Sequence, residues 1–395
     1  MTTSETLTQN PGQHGLVAHS HGGDVPIQTR SERVKSFDVK DFAPVSRREE
    51  QWRYTTSEQL AGLDADHLAD FAGDITAKHP EEVTSGWVDK THASVGSAGI
   101  PEDRPSAAAW TSATKAYLVT VPSDSKEDCE VQLAISSTDV TPSALHVVIE
   151  AQAGSQGTVI LDHKGDAVLS QNLEIVVGDN AHLTVVSIQD WNDGSVHTSA
   201  QFAKLGRNAS FKHLVVTLGG SVVRVSPSAA FAQPGAEAQL LGLYFADAGQ
   251  HLEHRLFVDH AVPNCKSRVT YKGALQGKGA HTIWVGDVLI RAAAEGTDTY
   301  ELNRNLLLTD GTRADSVPNL EIETGQIQGA GHASASGRFD DDQLFYLQAR
   351  GISELEARRL VVRGFLNEII QQIDNPEVQV RLSKAIEDEL VRSNS

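Results

Sequence analysis

From about Ala116 onward, short apolar runs alternate with tight polar breaks. YLVTVP, HVVIEAQ, TVILD, LEIVV, LTVVSI, FKHLVVTL, SVVRVSPS and QLLGLYFA are rich in Val, Leu, Ile and Thr and are bounded by Gly, Asn or Asp. Such runs are strands. No helical stretch separates them, so they do not form a βαβ array. A repeat runs through them. Gly178-Asp-Asn-Ala181-His-Leu, Gly206-Arg-Asn-Ala209-Ser-Phe and Gly235-Ala-Glu-Ala238-Gln-Leu share the pattern G-x-x-A-x-apolar at spacings of 28 and 29 residues. A weaker copy, Gly154-Ser-Gln-Gly157, lies 24 residues before the first. A period of this length made only of strands and turns suggests a β-solenoid, whose coils bury their inward faces by stacking. A β-sandwich or an antiparallel meander would also account for the strands. The ends of a solenoid expose strand edges, which must be capped or used as interfaces.

The periodicity changes near the C-terminus. Asp340 with Gln343 fits a capping box, followed by Leu344, Phe345 and Leu347, and Gly351 stands where a helix end favours positive φ. Ser353 with Glu356 is a second capping box, and Leu355, Leu360, Val361, Phe365, Ile369 and Ile373 recur at helical spacing. Asn375-Pro376 breaks this helix from the next, with proline at a first helical position. The pattern predicts a helical hairpin whose apolar face is wider than one stripe. Part of that face packs against Val378, Leu382, Ile386 and Leu390, and part is open to another protein.

Before the strands, a helix-like stretch follows Arg30, Ser46 with Glu49 fits another capping box, and SEQLAGLDADHLADF reads as helical. Trp52 and Tyr54 are candidate packing anchors. The predicted organisation is a disordered tail over 1–27, an α-rich region over 28–115, a β core over 116–338 and a helical domain over 339–395.

Composition narrows the function. The 395 residues carry 33 Lys and Arg against 52 Asp and Glu, a net charge of −19. This argues against a nucleic-acid or anionic-membrane surface, which needs clustered cations. No apolar run is long enough to span a membrane, and the N-terminus lacks the basic and apolar segments of a secretory signal. Two cysteines, Cys129 and Cys265, without a CxxC pair fit a reducing, cytoplasmic compartment. His14, His19 and His21 read as chance histidines of a tail. No GxxxxGK[ST] loop is present, so ATP hydrolysis is not expected of this chain. Asp259-His260 lacks a nucleophile motif and reads as structural, as do His251, His254 and His281. A β-helix polysaccharide lyase would need a clustered Asp, Arg or Lys face and a secretion signal; neither is evident.

The last third carries dense blocks: Phe257-Val-Asp-His260, Val262-Pro-Asn-Cys265-Lys-Ser, Tyr271-Lys-Gly-Ala-Leu-Gln-Gly277, Thr297-Asp-Thr-Tyr300, Asn303-Arg-Asn305-Leu-Leu-Leu308, Pro318-Asn-Leu-Glu-Ile322, His332-Ala-Ser-Ala and Gln343-Leu-Phe-Tyr-Leu-Gln-Ala-Arg-Gly351-Ile. In this order they resemble the SufB/SufD family of iron–sulfur cluster assembly proteins. The resemblance covers residues 240–375 most densely and reaches back to Glu50-Gln-Trp52-Arg-Tyr54-Thr. The Trp-Arg-Tyr-Thr block, and a histidine followed by Ala333-Ser334 in place of glutamate, resemble the SufD branch. Ala330 stands where that branch tends to carry a cysteine.

The resemblance implies a mainly β fold, a right-handed parallel β-helix flanked by N- and C-terminal helical regions. It implies a non-catalytic subunit of a complex with a SufB-like chain and two copies of a SufC-like ABC ATPase, each gripped by a C-terminal helical domain. An iron–sulfur cluster would be built transiently at the interface with the SufB-like chain, and the resemblance admits a reduced flavin in the complex. His332 is then the candidate cluster ligand. One imidazole cannot hold a cluster, so the other ligands, thiolates, would come from the partner. Cys265 is a second candidate ligand, with a small buried hydrophobe as its alternative. Arg350, Leu360, Phe365 and Ile369 are the candidate ATPase-facing residues. A SufB-like subunit and a metal-free, self-associating solenoid, a homodimer when isolated, remain as alternatives.

Overall fold

The computed structural model describes residues 33–126, 129–338 and 341–392. The tail over 1–27 and the start of the first capping box, Asp340, lie outside them.

The first described region holds three single-turn 3-10 helices, Val39–Asp41, Glu50–Trp52 and Glu58–Leu60. Strands β1 (Ala69–Asp70), β2 (Asp74–Lys78) and β3 (Thr84–Asp89) follow, then helix α1 (Arg104–Ser112). The α-rich region expected over 28–115 is therefore corrected. Ser46 and Glu49 close a backbone turn (N···O 2.9 Å) and no α-helix follows. SEQLAGLDADHLADF is interrupted by Ala61 and Gly62, both at positive φ. Helix α1 has a working start: the Asp103 carboxylate accepts from Ser106 N at 3.0 Å, with proline in the first turn.

The chain then alternates between two sheets. One contains β4 (Lys115–Val121), β6 (Ser143–Ala151), β8 (Val168–Val177), β10 (Val196–Leu205), β12 (Val222–Phe231), β14 (His251–His260), β16 (His281–Ile290) and β18 (Arg313–Ile322). The other contains β5 (Glu130–Ser137), β7 (Gln156–Gly165), β9 (His182–Trp191), β11 (Ser210–Thr217), β13 (Glu237–Ala246), β15 (Lys266–Leu275), β17 (Asp298–Leu307) and β19 (Gly329–Arg338). One strand of each makes a turn, and the stacked strands pair in parallel over about eight turns. This is the β-solenoid the repeat suggests.

The repeat marks a corner of each coil, in a register the sequence pattern only approximates. Asn180, Asn208, Gly235, Asn264 and Gly296 take positive φ at successive corners, a conformation that favours Gly and Asn. Asn180 N donates to Arg207 O (2.8 Å), Asn208 N to Pro234 O (3.1 Å) and Asn264 N to Glu295 O (2.8 Å), tying coil to coil. Pairing sets Ser210 opposite Glu237, so Ala236, not Ala238, stacks on Ala209. All three alanines are buried, Ala209 and Ala236 at the corner and Ala238 within β13.

The two ends of the solenoid differ. At the N-terminal end β2 and β3 pair antiparallel with β5 and β4 and close both sheets. At the other end β18 and β19 are the last strands, with no further strand beyond them among the described residues.

Helices α2 (Asp341–Gln348), α3 (Glu354–Ile370) and α4 (Pro376–Arg392) fold back along the solenoid. Gly351 has φ 84° and Ser353 Oγ accepts from Glu356 N at 3.3 Å, as the sequence predicts. The wide apolar face of the hairpin meets the outer side of the odd-strand sheet. Val362, Leu366, Ile369 and Ile370 pack with Val186, Ile188, Leu214, Val216, Leu241, Leu243 and Phe245. These sheet residues alternate with inward-facing core residues, so the odd strands are apolar on both sides.

Candidate functional site

The open end places His332. Strand β19 reads GAGHASASGR, and small residues there leave little bulk over the edge. Register gives each position its direction. Val269, Tyr271 and Leu275 on β15 belong to the interior core, and Glu301, Asn303 and Asn305 stack on that side of β17. His332 pairs with Glu301, Ser334 with Asn303 and Ser336 with Asn305. His332 thus occupies an inward position on the terminal strand, yet is exposed. Tyr300, on the outward face of β17, and Ile322, at the end of β18, are 43% and 46% exposed.

A polar column leads away from this mouth through the interior. His163, Gln189, Thr217, Tyr244, Gly273, Asn305 and Ser336 stand in one continuous register. Thr217 Oγ1 bonds His254 Nε2 at 3.0 Å, and the Tyr244 and His254 rings stack with centroids 4.8 Å apart. Tyr244 OH donates to Asn305 Oδ1 (2.6 Å), Asn303 Nδ2 donates to Tyr244 OH (2.9 Å), and Asn305 Nδ2 reaches Ser336 Oγ (3.2 Å). Burial raises the Tyr244 and Tyr271 phenols, so both stay neutral. It lowers His254 to about 3, leaving a neutral imidazole.

Beside the column, Glu301 is buried and neither of its carboxyl oxygens has a hydrogen-bond partner among the described residues. Burial, and then the charge of Asp287, raise it to about 8. Its Oε1 lies 2.8 Å from where a Cβ on Gly286 would stand, so a side chain there would displace it. Sequence reading passed over Glu301. The signal was a lone acidic residue at an inward position of Tyr300-Glu-Leu-Asn303.

The other candidates separate. Cys265 is buried and its thiol is raised by burial, with Sγ 3.6 Å from Pro263 O. It precedes β15, two strands below β19 and four positions along from the residue under His332. Strand spacing and rise put it on the order of 15 Å from His332, so the structure does not join the two as ligands of one metal. Among the described residues no group of three or more His, Cys, Asp or Glu could hold a metal ion. Asp259 pairs with Arg291 (2.7 Å), whereas His260 bonds Ser267 (2.9 Å) inside the coil. They face opposite ways, as a structural pair would.

The candidate ATPase-facing residues also divide. Ile369 is 2% exposed in the helix–sheet core, and Phe365 packs against that core under Lys272 Nζ, 4.9 Å from its ring centre. The solenoid covers Ile369 and part of Phe365. Leu360 is half-buried, and Arg350 stacks on the Tyr346 ring at 4.2 Å. Among the described residues of these helices the exposed large apolar side chains are Phe345 and Tyr346 on α2, 72% and 55% exposed, and Val380 on α4, 70% exposed.

The solenoid is closed at one end by antiparallel strands and ends at the other in two terminal strands, one of which carries an exposed imidazole. A family model described as "SUF system FeS cluster assembly, SufBD core domain" matches residues 134–365. The chain is 51% identical over 369 residues to the iron–sulfur cluster assembly SufBD family protein Rv1462 of Mycobacterium tuberculosis, covering 91% of this chain and 93% of that protein. It is 49% identical to the SufBD family protein ML0594 of Mycobacterium leprae over 95% of this chain and 97% of that one. A second M. tuberculosis relative, the SufBD family protein Rv1461, is 27% identical over 57% of this chain and 26% of its own length. The chain belongs to the SufBD family of iron–sulfur cluster assembly proteins. No helix among the described residues is long and apolar enough to cross a membrane.

Proposed function

We propose that this chain is the SufD-like, non-catalytic subunit of a cytoplasmic SUF scaffold. A SufB-like chain adds to the open end of its solenoid, and a SufC-like ATPase docks on its C-terminal helices. The observation that carries this reading is His332, exposed at an inward position of the terminal strand with alanine and serine after it. A single imidazole at an open strand end fits a site completed by a partner's thiolates. Iron and sulfide are cargo at that interface rather than resident groups. ATP-driven pairing of two ATPase subunits would pull on the α2–α3 segment, which β19 joins directly, and open the mouth. The same reading admits a reduced flavin in the complex.

The test is co-expression with SufB-like and SufC-like chains, followed by purification and assay of iron, sulfide and ATPase activity. His332→Ala should leave the complex assembled and lower its cluster content. Full cluster content in that variant would remove His332 from the site. Failure of the three chains to co-purify would overturn the scaffold reading and favour a self-associating solenoid.

A further inference from the structure

Register sets Glu301 directly beneath His332, and its carboxyl group has no partner among the described residues. Glu301 is 1% exposed. Buried polar atoms are paired in the great majority of cases, and those that are not call for a reason. The neighbours sharpen the point. Thr282 Oγ1 and Trp284 Nε1, inward on β16, also lack partners, as does Asp287 Oδ2. The nearby charge that acts on Glu301 is another carboxylate, Asp287, not a cation. An unpaired acid next to a second acid is a poor structural element and a good cation receptor.

Position makes the cation specific. Glu301 and His332 are register partners on adjacent parallel strands with side chains on the same face. Their backbones are therefore about 4.8 Å apart, within the span of one metal ion bridging an imidazole and a carboxylate. His332 is exposed on the terminal strand and Glu301 is buried beneath it, so an ion from outside meets the imidazole first. Imidazole and carboxylate together suit first-row divalent ions.

We propose that His332 and Glu301 form a two-residue Fe2+ entry site at the mouth of the solenoid, imidazole at the rim and carboxylate inside, with the remaining positions left to water or a partner's side chains. The proposal rests on the reading of this end as the cluster-building face and adds a ligand to it. The step is ligation alone, without electron transfer. Glu301 would give iron an oxygen ligand before sulfide arrives, and thiolates from the partner would displace it as the cluster forms.

Co2+ serves as the probe, since it binds such sites more tightly than Fe2+ and does not oxidise in air. The isolated full chain is titrated with Co2+ at pH 8 and followed by its visible absorption. Wild type should bind one ion, and Glu301→Gln and His332→Ala should each weaken binding by about tenfold or more. Thermal melting without metal keeps folding in view. Glu301→Gln should melt no lower than wild type, so lost binding cannot be laid to misfolding. Unchanged Co2+ affinity in Glu301→Gln overturns the proposal, and so does a wild-type chain that binds no Co2+. The co-expressed complex reads the scaffold function separately. Co-purification with normal cluster content in Glu301→Gln would sink the entry site and leave the scaffold standing.

Discussion

The Arg224 guanidinium lies 4.0 Å from the centre of the Trp52 ring while its Nη1 donates to Glu253 Oε1 at 2.8 Å. Thr55 donates to the same carboxylate, Arg255 Nη1 reaches it at 3.1 Å, and Glu253 is fully buried. Burial opposes its charge, but Arg224, the nearby His251 (Nε2 3.7 Å from Oε2) and Arg255 together hold its pKa well below the usual range. The Trp-Arg-Tyr-Thr block is thus a clasp that fastens the N-terminal region across β12 and β14.

Removing the ring should open that clasp. Trp52 is 1% exposed and packs with Leu60, Leu63, Val168, Val196 and Val222. Trp52→Ala loses this packing and the desolvated cation–π contact, so urea unfolding should register a loss of about 3–5 kcal/mol. Limited proteolysis should then cut before β4 first. A variant as stable as wild type would show that the N-terminal region contributes nothing to the solenoid.

Two tyrosines interlock with glycines one coil away. A Cβ at Gly273 would overlap the Tyr244 ring, and one at Gly242 would overlap Tyr271. Gly273→Ala should push Tyr244 off Asn303 and Asn305 and cost about 1–3 kcal/mol by overpacking. Tyr244→Phe keeps the ring but leaves the two asparagines short of a partner, for about 1–3 kcal/mol. The double variant should cost less than the sum of the two, because both break one contact. Additive losses in denaturant titrations would show that the glycine and the hydroxyl act independently.

Much of this architecture was legible in the residues. The Val, Leu and Ile runs, the turn residues between them and the period in the twenties point to stacked coils, and the repeated corner takes positive φ at Asn180, Asn208, Gly235, Asn264 and Gly296. Register was less legible. Ala236 and Ala238 both follow Gly235, and only backbone pairing shows which of them turns the corner. The N-terminal region misled because its short apolar spacings mimic helix, while its single turns are held by tertiary contacts such as the Arg224–Trp52 stack. The hairpin residues were found, but their direction was not. Helical spacing marks one apolar face without saying that a sheet will cover it. Glu301 escaped notice because its meaning lies in an absence of partners, which no local pattern encodes.

Titration separates Glu301 from the interior histidines. Its folded pKa, raised from 4.5 to about 8, means the folded chain keeps a proton the unfolded chain has lost. That contribution to stability is full below about pH 4.5 and falls away as pH rises toward 8, by about 1.4 kcal/mol for each pH step of one between those two values. His254 and His260, near 3, and His213, near 4, are lowered by burial from 6.5. The unfolded chain binds these protons first, so acidification below pH 6.5 destabilises the fold. Between pH 6.5 and 8, in chelator, wild type should lose stability and Glu301→Gln should not. Parallel melting curves for the two proteins across that range would contradict the assignment.

The hairpin allows a test that separates docking from folding. Ile369 sits in the core between α3 and the odd-strand sheet, whereas Phe345 and Tyr346 project from α2 with Arg350 stacked on the latter. Ile369→Glu would bury a charge without a partner, so it should unfold the hairpin or lower stability by about 3 kcal/mol or more. Phe345→Glu combined with Tyr346→Ser changes only exposed surface and should leave the melting temperature of the isolated chain within a few degrees of wild type. If α2 is where the ATPase docks, the second variant should lose co-purification with the SufC-like chain while keeping the SufB-like one. Retention of both partners at wild-type yield would move the docking surface to the half-buried Leu360 side of α3, where Arg359 and Arg363 lie on the same helix.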